Sequence, residues 1–378
     1  MHGHAKKILV TGADGFIGKN LCVTLSESNE FEIIRFLRKD SPDQLLGFVR
    51  DADWIIHLAG ENRPNDESEF TKANIDLTLS IAEAIDERIK LDKNNLPIIF
   101  ASSTQADQDN PYGRSKLAAE EIIKELSNRT GNPSFIYRLP GVFGKWCKPN
   151  YNSVVATFCH KMARGEPIQI SDPEREIKLV YIDDVISSFI EKLQSSSPEG
   201  SFFNKIPQEY TVSLGNLAKQ IKEFNNCKTT LISEKVGIGF TRPLYATYVS
   251  YLPSESFAYP LPKHEDERGV FVEMLKTHDS GQISYFTAHP GVTRGGHYHH
   301  TKTEKFLVIK GEALFRFRNL ISNELFELKT SGLIPEVVDT IPGWSHDIKN
   351  TGNEDMIVMI WANENFNKDL PDTISYEV

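Results

Sequence analysis

No apolar run in the 378-residue chain approaches the roughly 20 residues that a helix needs to cross a membrane. The stretch from Met1 to Lys7 has none of the apolar character of a signal-peptide core, so a cytoplasmic location is expected. Cysteine is scarce: Cys22, Cys147, Cys159 and Cys227 lie far apart with no C-x-x-C pair, the pattern of reduced, mostly buried thiols and not of a disulfide framework. Positive charge is also short. With 42 Lys and Arg against 52 Asp and Glu the net charge is −10, and no basic block offsets it, which argues against nucleic acid as a partner. Small phosphorylated ligands stay open through local sites. What is present is an ordinary globular composition over a length that calls for about two domains, each with a full core.

The N-terminal half alternates short apolar runs with helical spacing. Lys7-Ile8-Leu9-Val10-Thr11 reads as a buried strand, Gly12-Ala13-Asp14-Gly15-Phe16-Ile17-Gly18 as a glycine turn, and Lys19 to Ser26 as a helix. In that setting Gly12 allows the tight turn, Gly15 lets the backbone approach a pyrophosphate and Gly18 lets helix and strand pack closely, while the helix N-terminus offers N–H groups to the anion. The strand Phe31 to Phe36 carries Arg35, with Arg38 and Lys39 behind it, where an acidic residue would bind a ribose 2′-hydroxyl. Cations suit a 2′-phosphate, so NADPH is the expected cofactor. Asp53 to Gly60 is a further strand ending in small residues, Phe70 to Ala84 has helical periodicity, and Leu96 to Ala101 delivers Ser102 and Ser103. His57 reads as structural. Strands alternating with helices predict an α/β doubly wound parallel sheet.

In Tyr112-Gly113-Arg114-Ser115-Lys116 the tyrosine and lysine stand four residues apart, on one helical face. A nearby ammonium favours phenolate and draws a phenol of pKa about 10 toward the working pH, and a serine hydroxyl can hold the oxygen being protonated. Taken in order, Thr11-Gly12-x-x-Gly15-Phe16-x-Gly18, His57-Leu58-Ala59-Gly60, Asn74, Ser103 and Tyr112-x-x-x-Lys116 resemble the extended short-chain dehydrogenase/reductases with their Rossmann domain, over roughly the first 245 residues. The resemblance implies that Tyr112 exchanges a proton with the substrate oxygen, Ser103 binds that oxygen, and Lys116 holds the nicotinamide ribose and tunes Tyr112. It also places Gly12, Gly15, Phe16, Ile17, Gly18, Arg35, Leu58 and Ala59 around the cofactor. Ser102 competes with its neighbour Ser103 for the serine role. In sugar-nucleotide members the loop matching Pro140 to Tyr151 touches substrate, so Lys145 and Lys148 are expected to meet a diphosphate.

From about Tyr245 the composition changes. Tyr245, Tyr248, Tyr251 and Tyr259 interleave with Pro253, Pro260 and Pro262, which reads as a linker after a peripheral helix at Leu214 to Phe224 and divides the chain into residues 1–250 and 251–378. Beyond it, apolar runs punctuated by glycine, such as Lys305 to Lys310, Ala313 to Arg318 and Met356 to Trp361, predict the short strands of an all-β sandwich or barrel. Within this region the order is Gly291, five residues, His297-Tyr298-His299, four residues, Glu304, six residues, Gly311, and His346 follows in Pro342-Gly343-Trp344-Ser345-His346. Alternate histidines share one face of a strand and Glu304 opens the next run, so N and O ligands can converge on one divalent metal. The spacings resemble the two motifs of the cupin superfamily, a jelly-roll barrel, over about residues 255 to 370. The second motif departs in having its proline directly before the glycine. The resemblance gives His297, His299, Glu304 and His346 as the metal set; zinc suits a histidine-rich site, and Mn, Fe, Ni and Co also fit. Asp266 to Phe271 is similar to a motif of cupin epimerases that act on 4-keto-6-deoxy sugar nucleotides, which makes Arg268 a substrate-binding candidate.

A reductase needs a ketone and a metal cupin can acidify the carbon beside one, so one keto-sugar nucleotide would serve both halves. The order of the halves, with Asp109-Asn110-Pro111-Tyr112-Gly113, Gly144 to Ser153 and His299-His300-Thr301-Lys302, resembles bacterial capsular polysaccharide assembling proteins over nearly the whole chain. That resemblance implies two steps on a UDP-linked 4-keto-6-deoxy amino sugar on the way to N-acetyl-L-fucosamine. The cupin half epimerises C3 of UDP-2-acetamido-2,6-dideoxy-4-hexulose, and the reductase half reduces C4 with NADPH to UDP-N-acetyl-6-deoxy-L-talosamine. Tyr298, His300 and Glu304 are candidates for the base at C3. A homodimer is the symmetric default. One competing reading is a redox-neutral NAD-dependent 4-epimerase or dehydratase with a structural cupin half, against which Arg35 speaks. The other is a non-enzymatic sugar-nucleotide sensor, against which the intact Tyr112, Lys116 and four metal positions speak.

Overall fold

The computed structural model describes residues 5–378 apart from 65, 93, 196–201, 262, 263, 267, 268, 272–274, 278–280 and 365–368. Arg268 lies outside the described residues. The chain packs as two compact units, Met1–Ser153 with Lys178–Thr211, and Val154–Ile177 with Val212–Val378.

In the first unit the apolar runs form a six-stranded sheet in the order Phe31–Phe36, Lys6–Thr11, Trp54–His57, Ile98–Ser103, Ser134–Leu139, Phe203–Asn204, with parallel pairing throughout. Ile8, Leu9, Val10, Ile55, Ile56, Ile98 and Ile99 are all fully buried, as the near-continuous apolar strands of a covered parallel sheet require. Leu9, Ile55, Ile98 and Ile136 share a core with Leu45, Val49, Ile81, Ile85, Ile123 and Leu126 from the helices Pro42–Asp51, Leu77–Asp92 and Pro111–Thr130. Parallel strands bring Thr11, His57 and Ser103 out at one edge, where loops meet ligand in this architecture. The helical stretch expected from Phe70 opens with a π-helical segment, Thr71–Asp76, that carries the buried Asn74. The helix Pro111–Thr130 starts where Asn110 Oδ1 accepts from the Gly113 N–H at 2.8 Å with Pro111 in its first turn, and ends at the left-handed Gly131.

The second unit holds two five-stranded antiparallel sheets. One runs Ala258–Pro260, Glu336–Asp339, Glu304–Lys310, Met356–Ala362, Gln282–Ala288; the other runs Leu325–Ser331, Glu312–Asn319, Trp344–Asn350, Thr293–Tyr298, Ile374–Ser375. This is the cupin-like β architecture expected. Phe306, Phe315, Phe317 and Trp361 fill its interior.

The stretch expected to be a linker is packed structure. Thr241–Val249 is a helix whose Tyr245 and Tyr248 are buried against Phe224, with ring centroids 5.1 and 5.9 Å apart, and Tyr259 pairs with Val337 in a sheet. The helix Leu214–Thr230 buries one face through Leu217, Ile221, Phe224 and Cys227. Aromatic and proline residues at irregular spacing mark an aromatic core seam as readily as a linker, and here burial decides. Beneath that seam Lys305 Nζ donates to Asp339 Oδ1 at 2.5 Å with Tyr259 Oη at 3.4 Å, so the buried ammonium has partners. Among the described residues no helix is long and apolar enough to cross a membrane.

Candidate active sites

In the first unit the glycine turn is sterically committed. Gly12 has φ +69° and a Cβ there would stand 2.7 Å from the Ala59 N, while a Cβ on Gly18 would collide with the Gly12 carbonyl oxygen. Gly15, the N-cap of the helix Phe16–Ser26, supplies no side-chain acceptor, so the first N–H groups of that helix face the turn. Leu58 and Ala59 follow the strand Trp54–His57 and donate their N–H groups to Thr11 Oγ1, each at 3.2 Å. These features fit a dinucleotide pyrophosphate. Arg35 is exposed on the outermost strand, and Arg38, 91% exposed, has its guanidinium 3.5 Å from Glu61.

Tyr112, Lys116 and Glu120 follow one another at intervals of one turn on the helix Pro111–Thr130. Lys116 Nζ lies over the Phe100 ring and donates to the Ala101 carbonyl at 2.7 Å. Its burial lowers the ammonium to about 8, against the pull of Glu120. Burial raises the Tyr112 phenol, and a hydrogen bond with Ser103 works the other way. The choice between the two serines is decided by their partners. Ser102 Oγ donates to the buried Glu120 at 2.5 Å, and Glu120 is also held by Arg138 Nε at 2.9 Å and Nη2 at 2.7 Å. Ser103 is the serine beside Tyr112.

Behind this face lies a buried relay. Thr78 Oγ1 donates to the Asn74 carbonyl at 2.6 Å, so it accepts from His57 Nε2 at 2.9 Å, and His57 Nδ1 accepts from Thr11 Oγ1 at 2.7 Å. Burial and the Lys116 charge lower His57 to about 3, so the ring is neutral and structural, as expected. Asn74 Nδ2 donates to Ser115 Oγ at 2.9 Å, and Ser115 Oγ donates to the Tyr112 carbonyl at 2.8 Å, tying the π-helical segment to the helix that carries Tyr112. Lys145 departs from expectation. It is 1% exposed and its Nζ donates to Asp183 Oδ1 at 2.8 Å, so it is an internal ion pair and not a free diphosphate partner. Lys148 lies over the Tyr151 ring, whose hydroxyl donates to Glu61 Oε1 at 2.7 Å.

In the second unit His297, His299, Glu304 and His346 offer ligand atoms that all lie within 4.8 Å of one another. His297 and His346 are register partners on adjacent strands, and Glu304 comes from the facing sheet. Glu304 Oε2 is 3.2 Å from His299 Nε2 and 3.7 Å from His346 Nε2. His346 is buried, yet neither of its ring nitrogens has a hydrogen-bond partner among the described residues. Burial and the flanking histidines lower His297 to about 4, and burial lowers His346, so both are neutral rings with lone pairs to give. Orphaned imidazole nitrogens around one carboxylate fit a divalent metal.

Sequence reasoning missed Lys302, whose Nζ is 2.6 Å from Glu304 Oε1, and Thr340, whose Oγ1 accepts from the Glu304 N–H at 2.8 Å. The position of Lys302 two residues before Glu304 was the available signal; Thr340 had none. Of the residues considered as a base, Tyr298 and His300 pack against each other, with Tyr298 also against Tyr376, while His297, His299 and His346 form a separate ring cluster.

Two family models match the chain: the NAD dependent epimerase/dehydratase family over residues 8–204 and the polysaccharide biosynthesis C-terminal domain over residues 264–374. The chain belongs to the NAD dependent epimerase/dehydratase family, in a form that continues into that C-terminal domain. It is 51% identical to the UDP-2-acetamido-2,6-beta-L-arabino-hexul-4-ose reductase of Pseudomonas aeruginosa, over 98% of this chain and 99% of that one. It is also similar to the crystal structure of capsular polysaccharide assembling protein CapF from Staphylococcus aureus, at 41% identity and a TM-score of 0.67 over 98% of this chain and 100% of that one. A UDP-glucuronic acid 4-epimerase from Bacillus cereus in complex with NAD, 21% identical with a TM-score of 0.52 over 58% of this chain and 84% of that one, shares the fold alone.

Proposed function

We propose that the protein is a bifunctional sugar-nucleotide enzyme of capsular polysaccharide biosynthesis. The metal cluster of residues 251–378 serves C3 epimerisation of UDP-2-acetamido-2,6-dideoxy-4-hexulose. The Tyr112 site of residues 1–250 serves reduction of the C4 ketone with NADPH to UDP-N-acetyl-6-deoxy-L-talosamine. The observation that carries this reading is that the Tyr112–Lys116 pair and the His/Glu cluster stand in one chain that is 51% identical, over 98% of its length, to a reductase named for a 4-keto UDP-amino sugar.

When bound, NADPH supplies hydride and a divalent ion supplies Lewis acidity at a ketone oxygen. The glycine turn, Leu58, Ala59 and Lys116 would hold the dinucleotide, with Arg35 toward its 2′-phosphate. Tyr112, kept protonated by burial, donates its proton to the C4 oxygen, and Ser103 steadies that oxygen. Lys116 lends positive charge to the phenol it sits one turn behind. His297, His299, Glu304 and His346 would hold the ion, three neutral rings and one carboxylate leaving it net positive. Zinc suits that donor set. We assign a cytoplasmic homodimer as the working form.

The test is product analysis with the UDP 4-keto sugar and either NADPH or NADH. Stoichiometric NADPH consumption and a 4-hydroxy product inverted at C3 are expected. A product with C3 unchanged would reduce the reading to a simple ketoreductase, and no net cofactor consumption would favour a redox-neutral epimerase.

A further inference from the structure

We propose that Asp372 is a positioning residue for the metal centre, and that the segment Asp372–Tyr376 is a strap that orients its ligands. The inference rests on the reading of His297, His299, Glu304 and His346 as a metal site. Sequence gives no hint of it, since Asp372 lies 73 residues from His299.

The carboxylate of Asp372 accepts from three successive backbone N–H groups: His300 at 2.8 Å, Thr301 at 2.6 Å and Lys302 at 2.7 Å. It also accepts from Thr301 Oγ1 at 3.0 Å. Burial pushes this carboxyl up, yet the backbone N–H donors of His300 and Lys302 hold it well below the usual carboxylate range. One anion thereby fixes the turn that separates His299 from Glu304. The backbone carbonyl of the same residue is 2.5 Å from His299 Nδ1. A carbonyl only accepts, so Nδ1 carries a proton, which leaves Nε2, the nitrogen facing Glu304, as the one that would meet an ion. A partner of this kind sets the tautomer and raises the basicity of a metal-ligating imidazole.

The strap reaches two other ligands as well. Ser375 is the register partner of His297, and the Tyr376 N–H donates to the Gly296 carbonyl at 2.8 Å. Ser345, next to His346, donates to the Tyr376 carbonyl at 2.6 Å. From the other side Arg242 Nη2 donates to Thr301 Oγ1 at 2.6 Å, so the turn is clamped between a helix residue and the strap.

The experiment is zinc(II) titration of the full chain against a chromophoric chelator, for the parent, Asp372→Asn and a chain ending at Pro371. Loss of an outer partner of this kind weakens metal binding roughly 10- to 100-fold, and that loss is expected for Asp372→Asn, with a larger one for the shortened chain, which also lacks the carbonyl. Affinities within about twofold of the parent for both variants would overturn the proposal. A parent that binds no zinc would refute the metal reading instead of the strap. The strap is judged independently by nitrogen-15 NMR of the zinc-loaded parent, which also decides the matter if a variant fails to fold. His299 is expected to keep its proton on Nδ1 and to meet the ion through Nε2, and attachment through Nδ1 would overturn the assignment.

Discussion

Tyr112 and Lys116 stand one turn apart on a single helix, whereas the four residues of the His/Glu cluster come from two facing sheets and the turn between them. In the first case a 3.6-residue period brings the groups together, and the long-range contacts, Ser103 and Glu120–Arg138, only trim their orientation. In the second the register of a sheet does the assembly: His297 opposite His346, Glu304 tied to Thr340, and His299 fixed by a residue from a distant segment. Burial lowers a cation in both, to different ends. Lys116, at about 8, still carries charge at neutral pH, while His297, at about 4, does not. A site that uses charge tolerates only partial desolvation, and a site that uses lone pairs gains from more of it.

The sharpest way to separate the two regions is to disable one and read the other. Tyr112→Phe is expected to cut NADPH oxidation by roughly 10²- to 10⁴-fold while hydrogen exchange at C3 persists, because the phenolic proton has no part in the exchange. Replacing His297 and His299 together with alanine should abolish C3 exchange and strip bound metal, measured by elemental analysis. Oxidation of NADPH by an already epimerised ketone should survive. Undiminished exchange in that double variant would break the comparison.

Smaller effects test the long-range trim around the helix. Glu120→Ala removes the buried member of the pair and leaves the half-buried Arg138 with Asp107, so a loss of about 1–3 kcal/mol in denaturant unfolding is expected. Ser102→Ala takes away one donor to Glu120 and should cost about 1–3 kcal/mol with little change in turnover. Ser103→Ala should do the reverse, lowering kcat with stability nearly unchanged; equal effects from the two serines would undo their assignment. The pH profile gives the mildest signal. Reduction needs a protonated Tyr112 and a charged Lys116, and both forms are favoured by lower pH. Activity should therefore be flat below about 8 and fall above it as the lysine loses its proton.

The same contrast explains what could be read from residues alone. The glycine turn, the tyrosine–lysine pair and His297-x-His299 are local patterns, and each kept its place in the structure. The partner of Ser102 could not be read, because Glu120 is 18 residues away on another element. Lys145 reads as an exposed loop cation, but it is buried and paired with Asp183, 38 residues on. The tyrosines from 245 to 259 read as a linker because aromatic and proline spacing is silent on burial. Asp372 left no trace at all, since its role lies in three backbone N–H groups and a carbonyl, which carry no side-chain signature.

The central claim, two separable activities on one keto sugar, is tested most directly by proton NMR of the purified protein with the UDP 4-keto sugar in deuterium oxide, before and after NADPH is added. The account predicts exchange at C3 without cofactor and reduction at C4 only once NADPH is present. Reduction with no exchange at any stage would contradict it and leave the metal cluster without a part in the chemistry.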